Sequence, residues 1–327
     1  MSHSSLRRLS GLGVAVLAAF LALSAARAHA IDGNTNSGAP HAVFVIGDRE
    51  YRSEESMPML ARILKNRYGF EVTLCFSVTE GGVIDPNRPD HIEGLEALND
   101  ADVMIVYISW RQLPSDQLSL IMDFIRKGGA VVGFRPTVLP FEYPEGHEYE
   151  YLNTEWPHEV LGLRWISHHG ASSSTDALPI EERADHPILN GIEPFHVRSW
   201  LYDAAEHVHE NVRPLMMGRA VQGAERDGEH FANPHPVAWT HTRTEAYGGG
   251  RTFFTTMGAA EDFHNAFLRR LSLQGVFWAV GKEDQIPEQG LNAELFIEYD
   301  PEPSGFGDDA YKQGLRPENI PLSVESE

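Results

Sequence analysis

Apolar residues recur in two patterns along the chain. Short continuous runs, such as Ala42-Val43-Phe44-Val45-Ile46 closed by Gly47, suit strands buried on both faces. Between the runs, apolar residues return at helical spacing. Met57, Leu60, Ala61, Leu64 and Tyr68 mark one face of a helix with Ser53 as N-cap, Glu54 and Glu55 in its first turn, and Gly69 as its stop. A second strand follows over 70–76. The unit repeats as a strand over 102–107, a helix capped by Ser115 that carries Leu118, Ile121, Met122 and Ile125 and ends at Gly128-Gly129, and a strand over 130–134. Strands alternating with amphipathic helices predict an α/β fold, a parallel sheet with helices on both faces. The stretch 141–232 is loop-rich, with strands expected near 165–167, 197–202 and 214–219. Order returns with a strand over 236–240, a turn at Gly248-Gly249-Gly250, a strand over 251–256, and a helix from Asp262 to 281 with Phe263, Phe267, Leu271 and Trp278 inward.

The ends of the chain read differently. Arg7 and Arg8 precede a short apolar run over 11–23, and Ala28-His29-Ala30 forms a small-residue cleavage site. Residues 1–30 therefore read as a signal peptide, because the run is shorter than the ~20 apolar residues of a spanning helix. The expected organisation is a signal over 1–30, a linker over 31–41, one α/β domain over 42–282 and a Pro-, Gly- and acid-rich tail over 283–327 docked through Phe296, Tyr299 and Phe306. The expected location is periplasmic or extracellular, with no membrane attachment after cleavage. Acid exceeds base by 47 to 26 in 327 residues, a formal net charge of -21. Such a charge repels phosphate backbones and argues against a nucleic-acid partner. The one cysteine, Cys75, lies in an apolar strand, so a disulfide framework and a Cys-type metal site are excluded.

In an open parallel sheet, ligands sit at the carboxyl ends of the strands. That rule nominates Asp48, Glu50 and Tyr51 after the first strand, Trp110 and Arg111 after the third, Arg135 and Thr137 after the fourth, and Glu261 and Asp262 after the last. Carboxylates, guanidiniums and an aromatic plane suit a polyhydroxylated ligand, a small-molecule carbohydrate. Several of these residues also have structural readings: Asp48 as a turn cap, Asp262 as a helix N-cap, and Arg135 as the partner of a buried carboxylate. His168 and His169 are adjacent in a loop, where either could act as a base or both could reach a divalent metal. No Gly-x-Ser-x-Gly elbow, dinucleotide fingerprint or P-loop occurs, so no cofactor is nominated beyond that metal.

The runs Ile46-Gly47-Asp48-Arg49-Glu50-Tyr51-Arg52-Ser53-Glu54-Glu55-Ser56, His168-His169-Gly170, His186-Pro187-Ile188-Leu189-Asn190-Gly191-Ile192, Pro236-Val237-Ala238-Trp239-Thr240 and Thr255-Thr256-Met257-Gly258-Ala259-Ala260-Glu261-Asp262-Phe263, in that order, resemble the ThuA-like (trehalose-utilisation) family. The resemblance implies a class I glutamine-amidotransferase-like, flavodoxin-like fold and a carbohydrate role involving oxidised keto-sugars. It also exposes departures. The segment Phe134-Arg135-Pro136-Thr137-Val138-Leu139 has no nucleophilic Cys, so a glutaminase triad is absent. Leu139 stands where many similar sequences carry His. Three readings follow: an exported enzyme moving a proton on keto-sugars or oligosaccharides, with Glu50, His168 or His169 as base and Arg135 and Arg111 on ligand oxygens; a non-catalytic sugar-binding or scaffold protein; and a metal-dependent hydrolase built on His168 and His169.

Overall fold

The computed structural model describes residues 38–170, 172–203 and 208–324; the expected signal and most of the expected linker lie outside them. The chain runs β1 (His41–Gly47), α1 (Ser53–Tyr68), β2 (Glu71–Phe76), β3 (Val103–Ile108), α2 (Ser115–Arg126), β4 (Ala130–Phe134), α3 (Leu152–Trp156), β5 (Ser167–His168), β6 (Ser173–Pro179), β7 (Phe195–Val197), β8 (Tyr202–Asp203), β9 (Val212–Gln222), β10 (His235–Thr242), β11 (Arg251–Thr255) and α4 (Ala266–Ala279).

Nine strands form one sheet in the order β2-β1-β3-β4-β11-β10-β9-β6-β7. The first five are parallel neighbours and follow the 2-1-3-4-5 order of a flavodoxin-like sheet, with the order reversing between β1 and β3. The other four extend the sheet antiparallel from β11. Along β1, side chains alternate between faces. Ala42, Phe44 and Ile46 pack in one core with α1 and α4, while Val43 and Val45 pack in a second core with α2 and α3. Helices therefore cover both faces, as the alternation in the sequence implies. Cys75 is fully buried, and burial pushes its thiol up to about 12, so it behaves as a core hydrophobe. Among the described residues, no helix is long and apolar enough to cross a membrane.

Three expected boundaries move. Helix α1 begins at Ser53, and its cap position is Arg52, held at φ 58°; the Ser53 hydroxyl is buried without a partner. Helix α2 begins at Ser115 after Pro114, so Ser115 is the first helical residue and not the cap. Helix α4 begins at Ala266, capped by the Asn265 side chain, which accepts from Phe267 N–H. Asp262 is thus not that cap; it sits in a separate 3₁₀ turn, Ala260–His264. The expected strand over 165–167 shrinks to β5, and that over 197–202 resolves into β7 and β8, with β5 and β8 pairing as a separate two-stranded ribbon.

Helix α4 approaches the sheet at Gly275, where an added Cβ would fall inside van der Waals contact of the buried Phe253 ring. Gly275→Ala gains about 1 kcal/mol of helix propensity, but overpacking of this kind costs about 1–3 kcal/mol. The expected outcome in thermal unfolding is a lower Tm.

Candidate functional site

The loops after β1, β3, β4 and β11 meet at one edge of the sheet. Ala260 N–H donates to the Tyr51 carbonyl (3.0 Å), Trp110 N–H to that of Leu139 (2.8 Å), and the Tyr107 hydroxyl to that of Gly258 (2.7 Å). Among the described residues, the non-glycine positions with positive φ are Arg52 (58°), Trp110 (51°) and Arg135 (25°). Each lies in one of these loops. Backbone in this costly region persists only where the surrounding structure holds it in place.

Asp48 builds the first loop. Fully buried, its carboxylate accepts from Tyr51 N–H (2.7 Å), Glu50 N–H (3.3 Å) and the Ser109 hydroxyl (3.2 Å), which ties the β1 loop to the β3 loop. The turn carries Glu50 and Tyr51 into two adjoining cavities of about 460 and 250 Å³. Glu50, Tyr51, Trp200 and Phe306 line both, so the two volumes form one cleft. Glu50 is only 8 % exposed. Burial and the neighbouring Asp48 raise its carboxyl to about 7 against the opposing pull of the Tyr51 hydrogen bond and of Arg135 and Arg52. Burial raises the Tyr51 phenol too, which leaves it protonated near neutrality.

Arg135 is the hub. Its guanidinium carbon lies 4.6 Å from the ring centroids of both Tyr51 and Tyr202, between two aromatic faces. It donates to the carbonyls of Trp200 (3.1 Å) and Thr256 (2.9 Å). Burial opposes its charge, but Tyr202, Tyr51 and Asp262 more than compensate and raise its pKa. Asp262 accepts from Gly258 N–H (2.9 Å) and from both the backbone and the hydroxyl of Ser199, a cleft residue. Glu261 accepts from the backbone and hydroxyl of Ser304, each at 2.8 Å. That contact, with Gly305 N–H on the Glu50 carbonyl (2.8 Å), binds the C-terminal segment across the cleft. There Phe306 lies 6.0 Å from the Trp110 ring, and Arg49 covers Trp110 at 4.4 Å.

Not every nominated residue reaches the cleft. Arg111 is fully buried and donates to the Ser109, Arg88 and Pro86 carbonyls and the Ser77 hydroxyl; its role is to fasten loops. Thr137 donates to the Val106 carbonyl and accepts from Ile108 N–H, so it closes the end of β3. His168 lines the smaller cavity and packs 4.8 Å from Trp200, whereas His169 lines neither cavity. Its ring lies 5.0 Å from that of His235. Trp165, Ser199, Trp200, Tyr202 and Phe306 complete the cleft without having been nominated. The sequence leads one to expect Phe306 only to dock the tail; its place in the cleft comes from the C-terminal segment's contacts with Glu261 and Glu50.

A family model described as trehalose utilisation matches residues 43–279. The chain belongs to the ThuA family. Membership carries a carbohydrate role, related to trehalose utilisation, at the level of the family. The fold is shared with a ThuA-like protein of Parabacteroides merdae ATCC 43184, 18% identical over 78% of this chain and 98% of that one, with a TM-score of 0.52. A ThuA-like protein of Bacteroides uniformis ATCC 8492 is 15% identical over 76% of this chain and 94% of that one, with a TM-score of 0.49. No curated protein matches the sequence.

Behind the cleft, Glu54 is buried with both carboxylate oxygens unpaired by hydrogen bonds; Arg52 lies at 3.7 Å, and the carboxylates of Asp48 and Glu55 are near enough to oppose its charge. Burial raises it to about 8 from 4.5. A carboxyl raised on folding stabilises fully below its unfolded pKa, and that contribution fades as pH rises through the folded value. Glu54→Gln removes the dependence. Relative to this variant, the parent protein should lose up to a few kcal/mol between pH 5 and pH 8, read as a widening Tm gap across that range.

Proposed function

We propose that this ThuA-family chain binds a carbohydrate in the cleft and moves a proton on a keto-sugar with Glu50 as the base. The observation that carries the reading is Glu50 itself, the carboxylate shared by both cavities, nearly buried and tuned to titrate near neutral pH. A base is most effective when its pKa lies near the working pH. A carbon next to a ketone is acidified by it. The Glu50 carboxylate takes the proton from that carbon, and the electron pair delocalises onto the carbonyl oxygen as an enediolate. As Glu50 becomes protonated, the Tyr51 hydroxyl that donated to it is released to donate to that oxygen, and the Arg135 charge behind it favours the negative charge. The proton then returns to the neighbouring carbon while the remaining hydroxyl proton passes to the adjacent oxygen and a new ketone forms, or the electron pair re-forms the ketone, breaks the bond to an oxygen on the next carbon, and that departing oxygen takes the proton. Trp110, Trp200 and Phe306 offer apolar planes to sugar faces, while Ser199 and Glu261 meet hydroxyls.

The second reading is a non-catalytic sugar-binding protein. Leu139, in the wall of the smaller cavity where similar sequences carry a histidine, favours it. Export, proposed from residues 1–30 alone, fits either reading.

Kinetics with 3-keto-disaccharides separate the two. Glu50→Gln should lower kcat by roughly 100- to 10,000-fold with KM little changed, and Trp200→Ala should raise KM. Equal turnover by the Glu50 variant sinks the proton-transfer reading. Saturable binding with no turnover by the parent protein selects the second.

A further inference from the structure

The C-terminal segment meets the larger cavity at one carboxylate. Glu261, in the loop after β11, lines that cavity together with Ser304, Gly305 and Phe306. One Glu261 oxygen accepts from the Ser304 N–H and the other from the Ser304 hydroxyl, each at 2.8 Å. Two donors of one residue thus take both oxygens of one carboxylate, a two-point pairing that selects for geometry as well as charge. Two neighbouring hydroxyls of a sugar ring present the same pair of donors. We propose that Glu261 recognises a vicinal diol of the carbohydrate and that Ser304 holds its place until the sugar enters, so that ligand and segment exchange on one carboxylate. This exchange rests on the carbohydrate reading of the cleft and adds to it the group that the ligand must carry.

One part of the segment is pinned and the neighbouring part is free to leave. Gly305 is the pin: its N–H donates to the Glu50 carbonyl (2.8 Å), and its own carbonyl accepts from Arg52 Nη2 (2.8 Å). Upstream, the Tyr299 hydroxyl donates to the Ala260 carbonyl (2.8 Å) and Glu302 N–H to the Glu55 carboxylate (3.0 Å). Downstream, the Tyr311 hydroxyl bonds Asp85 (3.1 Å) and Lys312 pairs with Glu55. Tyr299, Glu302, Tyr311 and Lys312 do not line the larger cavity, so they hold the segment whatever Ser304 does. Ser304 itself is half-buried. Water can take its two donors when they leave Glu261, so no buried polar group is stranded. Phe306 beyond the pin is 60 % exposed and meets Trp110 at a ring separation of 6.0 Å, so packing adds little that holds Ser304 down.

The rest of the cavity narrows what can replace Ser304. Arg135 and Arg198 line the same space and oppose an ammonium or guanidinium group on the ligand. Neutral hydroxyls meet no such repulsion. Two hydrogen bonds leave the carboxylate and two arrive, so the apparent Kd carries the fraction of molecules in which Ser304 has let go.

The test measures binding by calorimetry in the full chain carrying Glu50→Gln, so that turnover does not consume the sugar. The probes are 3-keto-trehalose and its analogue without the 3-hydroxyl of the intact ring, which has no vicinal diol. Ser304→Ala, which removes one competing donor, should lower the Kd of the diol probe about 10-fold, the effect of one hydrogen bond to a charged group. The diol probe should bind about 10-fold more tightly than the analogue, and Glu261→Ala should erase that preference. In amide exchange followed by NMR, the diol probe should speed exchange at Ser304 and leave Gly305 protected. Ser304→Ala should keep the parent's Tm, so its result stands even where Glu261→Ala fails to fold. Where Trp200→Ala weakens both probes, the carbohydrate reading holds; an unchanged or higher Kd in Ser304→Ala, a diol preference that survives Glu261→Ala, or slowed exchange at Ser304 then overturns the exchange alone. No binding of either probe with or without Ser304→Ala removes the exchange and the carbohydrate reading together.

Discussion

The cleft depends on one buried cation. Arg135 leaves β4 with φ at 25° and places its guanidinium between the rings of Tyr51 and Tyr202. From there it bonds the carbonyls of Trp200 and Thr256. Four segments distant in sequence are thereby held together: the β1 loop, the start of the cleft wall, the end of β11 and the β4 elbow. A fully buried guanidinium is costly unless its donors and its charge are satisfied. Two aromatic faces and the buried Asp262 offset the charge and two carbonyls accept from Nη1, while Nε stays buried without a hydrogen-bond partner, a cost the fold carries here. Any rearrangement of the wall would strand the charge, so the cation makes this arrangement of loops the one of lowest energy.

The sheet divides its labour in a related way. Its parallel half brings loops to one edge, because every parallel strand ends on the same side. That half supplies Glu50, Tyr51, Trp110 and Arg135. The antiparallel half and the ribbon supply a wall, with Ser199 just after β7 and Trp200 just before β8. The C-terminal segment closes the cleft as a strap, with Ser304 on Glu261, Gly305 on the Glu50 backbone and Phe306 against Trp110.

This division explains what was legible in the sequence. The parallel strands are continuous apolar runs separated by helices of clear period, and their loops could be assigned to one edge before any contact was known. Glu50 and Tyr51 followed from that rule alone. Arg111 and Thr137 satisfied the same rule but turn inward, because a rule about strand ends does not say which side chains the loop spends on its own backbone. Asp262 misled for a local reason: Asp before an apolar helical run is a good N-cap, yet Asn265 lies closer to the helix and takes the part. The wall was legible only as strands near 165–167, 197–202 and 214–219, because β5, β7 and β8 are two or three residues long and β9 interrupts its alternation with Pro214 and Gly218. Trp200, Tyr202 and Phe306 reach the cleft only through long-range packing.

The buried carboxylates give the final step. Asp48, Glu50, Glu54 and Asp262 all have their pKa values raised by burial, and all belong to the edge loops or the helix start beside them. A protein selected for stability alone has no reason to gather desolvated acids beside Arg135 and Arg52, since well-packed apolar residues would cost less. Asp48 and Asp262 accept backbone hydrogen bonds that shape the loops, which gives each a structural part. Glu50 has no such duty: its carboxylate holds no loop, lies at the junction of both cavities and stands poised between protonated and ionised. The two aspartates explain how the edge is built, and Glu50 is the acid that this edge leaves facing both cavities.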